Sequence, residues 1–444
     1  MIFEKIGVQV PKILLPKKGT DMQRWAVIAC DQYTSDLDYW QRLEKQTTGN
    51  ISTLNLVFPE AYLDAADTER RIEAINRTME DYLADGSLEE QPPGFILVDR
   101  KTTATESRKG LIVALDLEQY DYTKGAQSLI RSTEGTILDR LPPRIKVRQN
   151  APIELPHIMV LIDDPERTVI EPLFDEKLET VYDFDLLEKG GHLKGYRVDQ
   201  PEFIKQTATA LEKLADPTAY RAKYAVDGEV MLYAMGDGNH SFATAKAIWT
   251  KLKAEADDPA AVMNHPARFA LVELVNVHDA GLEFEAIHRV LFDVDCNHLK
   301  QQMEHFFAER KTPMTFTPCA DLAAAEKIVA KTSGEHTFPV VFSGVSGVCS
   351  VATPEFSLVV ASLQAFLDQY LKNNPAVRID YIHGSQTVTE LGSQSESAGF
   401  YLPAISKHDL FKTIARDGAL PRKTFSLGEA DEKRFYLECR KIKE

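Results

Sequence analysis

Cysteine is scarce in this chain and follows no pattern. Cys30, Cys296, Cys319, Cys349 and Cys439 are widely spaced, odd in number and include no CxxC. This excludes a disulfide framework and a cysteine-zinc site. Most are expected to pack as small buried apolar residues, Cys30 included, because no neighbouring histidine activates its thiol. Long apolar runs are also missing. Nothing approaches the roughly 20 residues of a membrane span, and the opening MIFEKIGVQVPKILLPKK lacks the apolar centre of a secretory signal. A cytoplasmic protein with no membrane partner is therefore expected. Positive charge is in deficit: 51 Lys and Arg against 67 Asp and Glu leave −16, which excludes a nucleic-acid partner that must be gripped by its phosphates. The Walker A pattern and the protein-kinase glycine loop are absent, as are internal repeats and low-complexity segments.

What is present is a globular composition, 44% apolar and 27% charged over 444 residues. At roughly 150 residues per domain that is two or three domains. One stretch organises the rest: EVMLYAMGDGNHSFATAKAIWTKLKAEA, Glu229 to Ala256. Glu229 to Met235 reads as a buried strand. Gly236, Asp237, Gly238 and Asn239 make a tight turn. From Ser241 onward Phe242, Ala245, Trp249, Leu252 and Ala256 recur at helical spacing. The first-turn N–H groups of such a helix favour an anion, most often a phosphate. Asp237 and His240 in the turn are candidate catalytic groups; Gly236, Gly238, Asn239 and Ser241 are candidate phosphate contacts. Asp, Asn and Ser here are also ordinary caps, so it is their concentration with His240 at a strand end that points to a site.

A second stretch, Tyr120 to Pro156, is rich in cations and broken by Pro142, Pro143, Pro152 and Pro156. It reads as a long irregular loop, and such loops carry sites. Arg131, Arg140 and Arg148 are candidate phosphate clamps, and Glu134 is a candidate catalytic carboxylate. A solvated, salt-bridged loop would look the same in sequence. Asp31 follows the short strand Trp25 to Ala29, ahead of a helix capped by Ser35, and is a second-tier candidate. Asp163 and Asp164 close the strand His157 to Ile162 and read as turn residues rather than a magnesium site. His288 and Arg289, polar in apolar surroundings, are also second-tier. From about Asn297 helices and strands alternate afresh. The expected organisation is a core over residues 1–295 that carries the site and a C-terminal α/β lobe over residues 296–444.

Several stretches carry a family resemblance: RSTEGTILDRLPPRIKVRQNAPIELPHIMVLIDDPE (Arg131 to Glu166), GDGNHSFATAK (Gly236 to Lys246), ALVELVNVHDAGLEFEAIHRVLF (Ala270 to Phe292), DYIHG (Asp380 to Gly384) and LPRKTFSLGEADEKRFYLECRKI (Leu420 to Ile442). Together they resemble the bacterial and archaeal domain-of-unknown-function family 1015. In much of that family the central turn reads Asp-Gly-His-His-Arg, which is similar to the phosphate-binding turn of ParB-type partition proteins, sulfiredoxin and free serine kinases. The resemblance implies a mixed α/β fold with a ParB/sulfiredoxin-like core. Here Ser241 stands in the Arg position, so Arg131, Arg140 or Arg148 is expected to supply that contact. Asn239 replaces the cysteine that sulfiredoxin chemistry needs, which excludes that chemistry. The implied activity is phosphoryl transfer on a small metabolite, serine or phosphoserine, with ATP, ADP or AMP and Mg2+ as candidate cofactors. Two alternatives use the same parts: a non-catalytic sensor of a small anionic metabolite or nucleotide, and a phosphomonoesterase acting on phosphoserine.

Overall fold

The computed structural model describes residues 1–63, 65–123 and 125–443. The fold is mixed α/β and divides into two compact units, Met1–Glu283 with Leu427–Glu444, and Phe284–Ser426. This differs from the expected division at 295/296. The second unit begins earlier, and the last segment returns to the first unit. The reason lies in backbone pairing. Phe435–Tyr436 pairs antiparallel with Val27–Ile28, Arg440–Lys441 with Ile153–Glu154, and Cys439 bridges to Leu14.

Among its described residues the first unit is built on an 11-stranded mixed sheet. Its order runs Glu179–Asp185, His192–Val198, Phe95–Lys101, Arg108–Asp116, Phe269–Asn276, Met159–Ile162, Tyr233–Asp237, Ile130–Arg131 and Tyr120–Asp121, with Val8–Gln9 and Ile2–Phe3 off that path. Strand residues alternate between two apolar layers. Leu97, Leu111, Val113, Val160 and Val272 face one layer, which also holds Ala208 and Leu211 of the helix Pro201–Leu214 and Phe242 and Trp249 of the helix Asn239–Glu255. Ile96, Val98, Ile112, Ala114 and Leu271 face the other, with Trp40 of the helix Leu37–Thr47, Met79 of the helix Thr68–Ala84, and Phe435 and Leu437. Every residue of Phe269–Asn276 is buried, as expected for a central strand covered on both faces.

Two local expectations shift. The strand expected over Glu229 to Met235 is formed by Tyr233–Asp237, further along and reaching into the glycine turn. The proline-broken stretch contains the helix Leu141–Arg148, with Pro142 and Pro143 in its first turn, where a missing N–H costs no hydrogen bond. The second unit carries a six-stranded sheet in the order Met314–Pro318, Val345–Val351, His336–Phe342, Ser397–Phe400, His288–Phe292 and Arg378–Ile382, every pairing antiparallel. The helices Cys296–Glu309 and Val359–Asn373 pack on one face of it. No described helix is long and apolar enough to cross a membrane.

Candidate functional site

The glycine turn is shaped by two neighbours of Asp237. The strand Tyr233–Asp237 runs antiparallel to Met159–Ile162, with Met159 opposite Asp237 but Val160 opposite Met235. Gly236 is the extra residue, a bulge of the kind that re-aims a side chain beside a site. A Cβ there would come within 2.9 Å of Leu427 Cδ1. Gly238 caps the helix at φ 77° and ψ 25°, and a Cβ on it would lie 3.0 Å from Ile158 Cα. Both its conformation and its contact require glycine. The helix Asn239–Glu255 has no side-chain cap and no acidic residue in its first turn, so its N-terminal N–H groups are not answered by a carboxylate of its own.

Asp237 accepts the Gly238 N–H at 2.8 Å on Oδ1 and holds Lys433 Nζ at 3.3 Å on Oδ2. Burial alone would raise its pKa; Lys433 first and His157 next outweigh that and hold the carboxyl below its ordinary value. His157, just ahead of the Met159–Ile162 strand, extends the cluster. Its Nδ1 is 2.9 Å from the Tyr436 hydroxyl, and its Nε2 is 3.8 Å from Asp31 Oδ2. The Tyr436 hydroxyl accepts the Cys30 N–H at 3.2 Å. Glu60 pairs with Arg144 at 2.5 Å, both side chains largely buried. Burial pushes the Glu60 carboxyl up, Arg144 pulls it down, and the Asp31 charge adds to the upward shift, which prevails. Burial also pushes the Cys30 thiol well above its ordinary value, in keeping with a packed cysteine rather than a nucleophile.

The remaining expected residues separate into groups. The segment after Arg131 wraps the turn: Ser132 Oγ donates to Asn239 Oδ1 at 3.1 Å, and the Ile137 N–H donates to His240 Nε2 at 3.3 Å. That bond requires His240 Nε2 to be unprotonated. Gly236, Asp237, Gly238, Asn239, His240 and Ser241 are therefore consecutive around one turn, and Glu134 lies in the segment that covers it. Asp31 joins through His157. Two of the expected phosphate clamps are engaged elsewhere. Arg131 donates to the carbonyls of Ser128 at 3.0 Å and Glu229 at 2.5 Å and to Gln127 Oε1 at 3.2 Å. Arg148 pairs at 2.5 Å with Glu154, which also pairs with Arg440. Arg140 is exposed. His288 and Arg289 lie in the other unit. His288 accepts the Leu402 N–H at 3.0 Å, and burial lowers its pKa to about 4. Arg289 is fully buried, bonded to Gln364 and to the Ile287 and Arg422 carbonyls. Both have the partners of core residues.

The family model described as a protein of unknown function, DUF1015, matches residues 14–370. The chain belongs to that family. A comparison with curated proteins finds no match. Among solved structures, a free serine kinase in complex with AMP is similar at 12% identity and a TM-score of 0.39, over 78% of this chain and 94% of that one. A conserved hypothetical protein from Pyrococcus furiosus is similar at 12% identity and a TM-score of 0.37, over 75% and 95%. SbnI from Staphylococcus aureus, with a C-terminal truncation, is similar at 10% and 0.35, over 71% and 82%.

In this DUF1015 protein the residues that sequence reasoning passed over are Glu60, Arg144, His157, Lys433 and Tyr436. His157 and Arg144 stand inside stretches already singled out, but only the antiparallel register of Met159 against Asp237 brings the start of one strand to the end of the other. Lys433 and Tyr436 come from the C-terminal segment, and Tyr436 is 406 residues from its partner Cys30. No local spacing encodes that approach. Among the described residues no three His, Cys, Asp or Glu side chains converge on a metal-sized position.

Proposed function

We propose that the turn Gly236 to Ser241 and the groups facing it bind a phosphate-bearing small metabolite or nucleotide and carry out phosphoryl transfer, in the manner of a serine kinase. One observation carries this reading. A bulge, a left-handed glycine and an uncapped 17-residue helix come together at one strand end, with Asp237, His157 and Asp31 in the same cluster. Helix N–H groups would hold phosphate oxygens, and phosphoryl transfer asks for positioning and charge neutralisation more than for covalent chemistry. The acceptor hydroxyl oxygen would form the new P–O bond as the bond to the donor oxygen breaks, and a carboxylate of the cluster would take the hydroxyl proton. Asp237 is already paired with the Lys433 cation, whereas the half-buried Asp31 meets the neutral Gln32 amide on Oδ1 at 3.0 Å, which makes Asp31 the better-placed acceptor through Oδ2. Mg2+ needs few protein ligands when substrate phosphates complete its shell, so one carboxylate, Asp31 or Asp237, would suffice to hold it, and it would supply neutralisation of phosphate charge. His240, engaged through Nε2 by the Ile137 N–H, orders the covering segment over the turn.

The test is phosphorus NMR of the purified protein with phosphoserine and Mg2+, with ADP, AMP or no nucleotide, alongside Asp237→Asn and His240→Ala. The expected result is nucleotide-dependent loss of the phosphoserine signal, lost in Asp237→Asn and reduced in His240→Ala. Release of inorganic phosphate without nucleotide would replace the kinase-like reading by a phosphomonoesterase. Binding by calorimetry with no turnover in any combination would replace it by a sensor.

A further inference from the structure

The segment Leu427–Glu444 belongs to the first unit and is fastened there at many points. Arg100 donates to the Asp431 carbonyl at 3.3 Å and Arg108 to the Glu432 carbonyl at 3.2 Å. Thr102 Oγ1 donates to Glu432 Oε1 at 2.7 Å. Arg434 is bound by Glu273 and Glu438 and donates to the Pro156 carbonyl at 2.9 Å. Trp25 Nε1 donates to the Leu437 carbonyl at 3.0 Å. The strap so fixed sends two side chains to the site. Lys433, only 11% exposed, meets Asp237 and also donates to the Leu427 carbonyl at 3.0 Å. Tyr436, fully within the core, meets His157.

We infer that this strap is a working part of the site, in which Lys433 pins the Asp237 carboxylate and Tyr436 pins the His157 ring with its proton on Nε2. The hydroxyl of Tyr436 already accepts the Cys30 N–H. It has one proton to give, and His157 Nδ1 at 2.9 Å is a far better acceptor than the Cys30 sulfur at 3.0 Å. A neutral imidazole that accepts at Nδ1 carries its proton on Nε2, the nitrogen turned toward Asp31. The gap from Nε2 to Asp31 Oδ2, 3.8 Å, is too long for a direct hydrogen bond and suits an oxygen lying between them. Lys433 and Tyr436 are thus positioning residues: they act through Asp237 and His157. The charged and titratable groups facing this pair are Asp31 and Glu60 with its partner Arg144 on the N-terminal side, and Lys433 and Tyr436 on the strap.

The inference rests on reading Asp237 and His157 as working groups, so the test reads the surroundings of the Asp237 carboxylate and the His157 tautomer directly and not only turnover. The full-length protein would be labelled with carboxyl-13C aspartate and ring-15N histidine, with Asp237→Asn and His157→Gln identifying the signals. In the wild type the His157 ring is expected to show the proton on Nε2 near pH 8, and Tyr436→Phe is expected to give a mixture of tautomers. Lys433→Met is expected to move the Asp237 carboxyl signal at fixed pH, because the ammonium 3.3 Å from Oδ2 is gone, with Lys433→Arg restoring it. An unchanged Asp237 carboxyl signal in Lys433→Met, or a wild-type His157 protonated on Nδ1, would overturn the inference. The NMR shifts without any turnover or phosphate binding would uphold the positioning and overturn the proposed function instead. Tyr436→Phe keeps size and burial and removes only the hydroxyl, so the test survives if Lys433→Met does not fold.

Discussion

Two acid–base clusters are tied by the same C-terminal strap, and they are built differently. In one, Arg434 lies between Glu273 and Glu438, and all three side chains are at most 5% exposed. In the other, Lys433 meets Asp237, whose side chain is 31% exposed. The residues are neighbours in sequence, yet one pair is sealed in the core and the other opens at a strand end beside an uncapped helix. A sealed pair gives the strap its register. Its desolvation is already paid in the folded state, and its geometry leaves no room for a ligand. An open pair can exchange partners, which is the property a binding site needs. Arginine suits the first place because its fork bridges two carboxylates; lysine, a single point charge, suits the second.

The comparison breaks most visibly at Arg434. Arg434→Met takes the ion-pair partner from two buried carboxylates, leaving Glu438 with the Tyr182 hydroxyl and Glu273 with the charges of Arg108 and Arg100, and is expected to lower stability by about 3–5 kcal/mol, read from the midpoint of urea unfolding. A loss below about 1 kcal/mol would mean that the sealed cluster does not anchor the strap. Next comes Gly238→Ala, which forces a left-handed backbone and a contact with Ile158. It should cost roughly 1–3 kcal/mol and weaken AMP binding in calorimetry. Unchanged binding would detach the turn from the site. Smallest in stability is Asp237→Asn, expected to cost under about 1 kcal/mol because the pair is partly screened by solvent, while turnover is lost. Acid sharpens the same contrast. The pKa values of Glu273, Glu154 and Asp237 are all held down in the fold by their basic partners, against the upward push of burial. Their contribution is therefore complete above the ordinary carboxylate range and is lost as pH falls from about 4 through the lowered values. Arg434→Met should flatten that acid limb in urea titrations, and Asp237→Asn should change it little.

The turn was legible in the sequence because it is local. Glycine spacing, the polar cluster and the helical recurrence of Phe242, Ala245 and Trp249 all lie within one unit of strand and helix. What could not be read was partnership across the chain. Arg131 and Arg148 look like clamps by composition, but their partners are backbone carbonyls and Glu154, chosen by tertiary packing. The prolines that argued against regular structure after Arg140 instead open a helix. The C-terminal residues were read with the lobe they follow, since nothing in Leu427 to Ile442 announces a return to Val27–Ile28.

That return has a consequence for how the chain is made. Trp25 waits for the Leu437 carbonyl, 412 residues later, and the whole of Phe284–Ser426 is synthesised in between. The first unit must therefore hold its strap position open through the manufacture of another folded unit. The contacts of greatest sequence separation are slow to close, so Trp25 fluorescence should report a late phase in refolding. Until that phase is over the protein would have its glycine turn but neither Lys433 nor Tyr436 in place, an inbuilt delay between synthesis and competence.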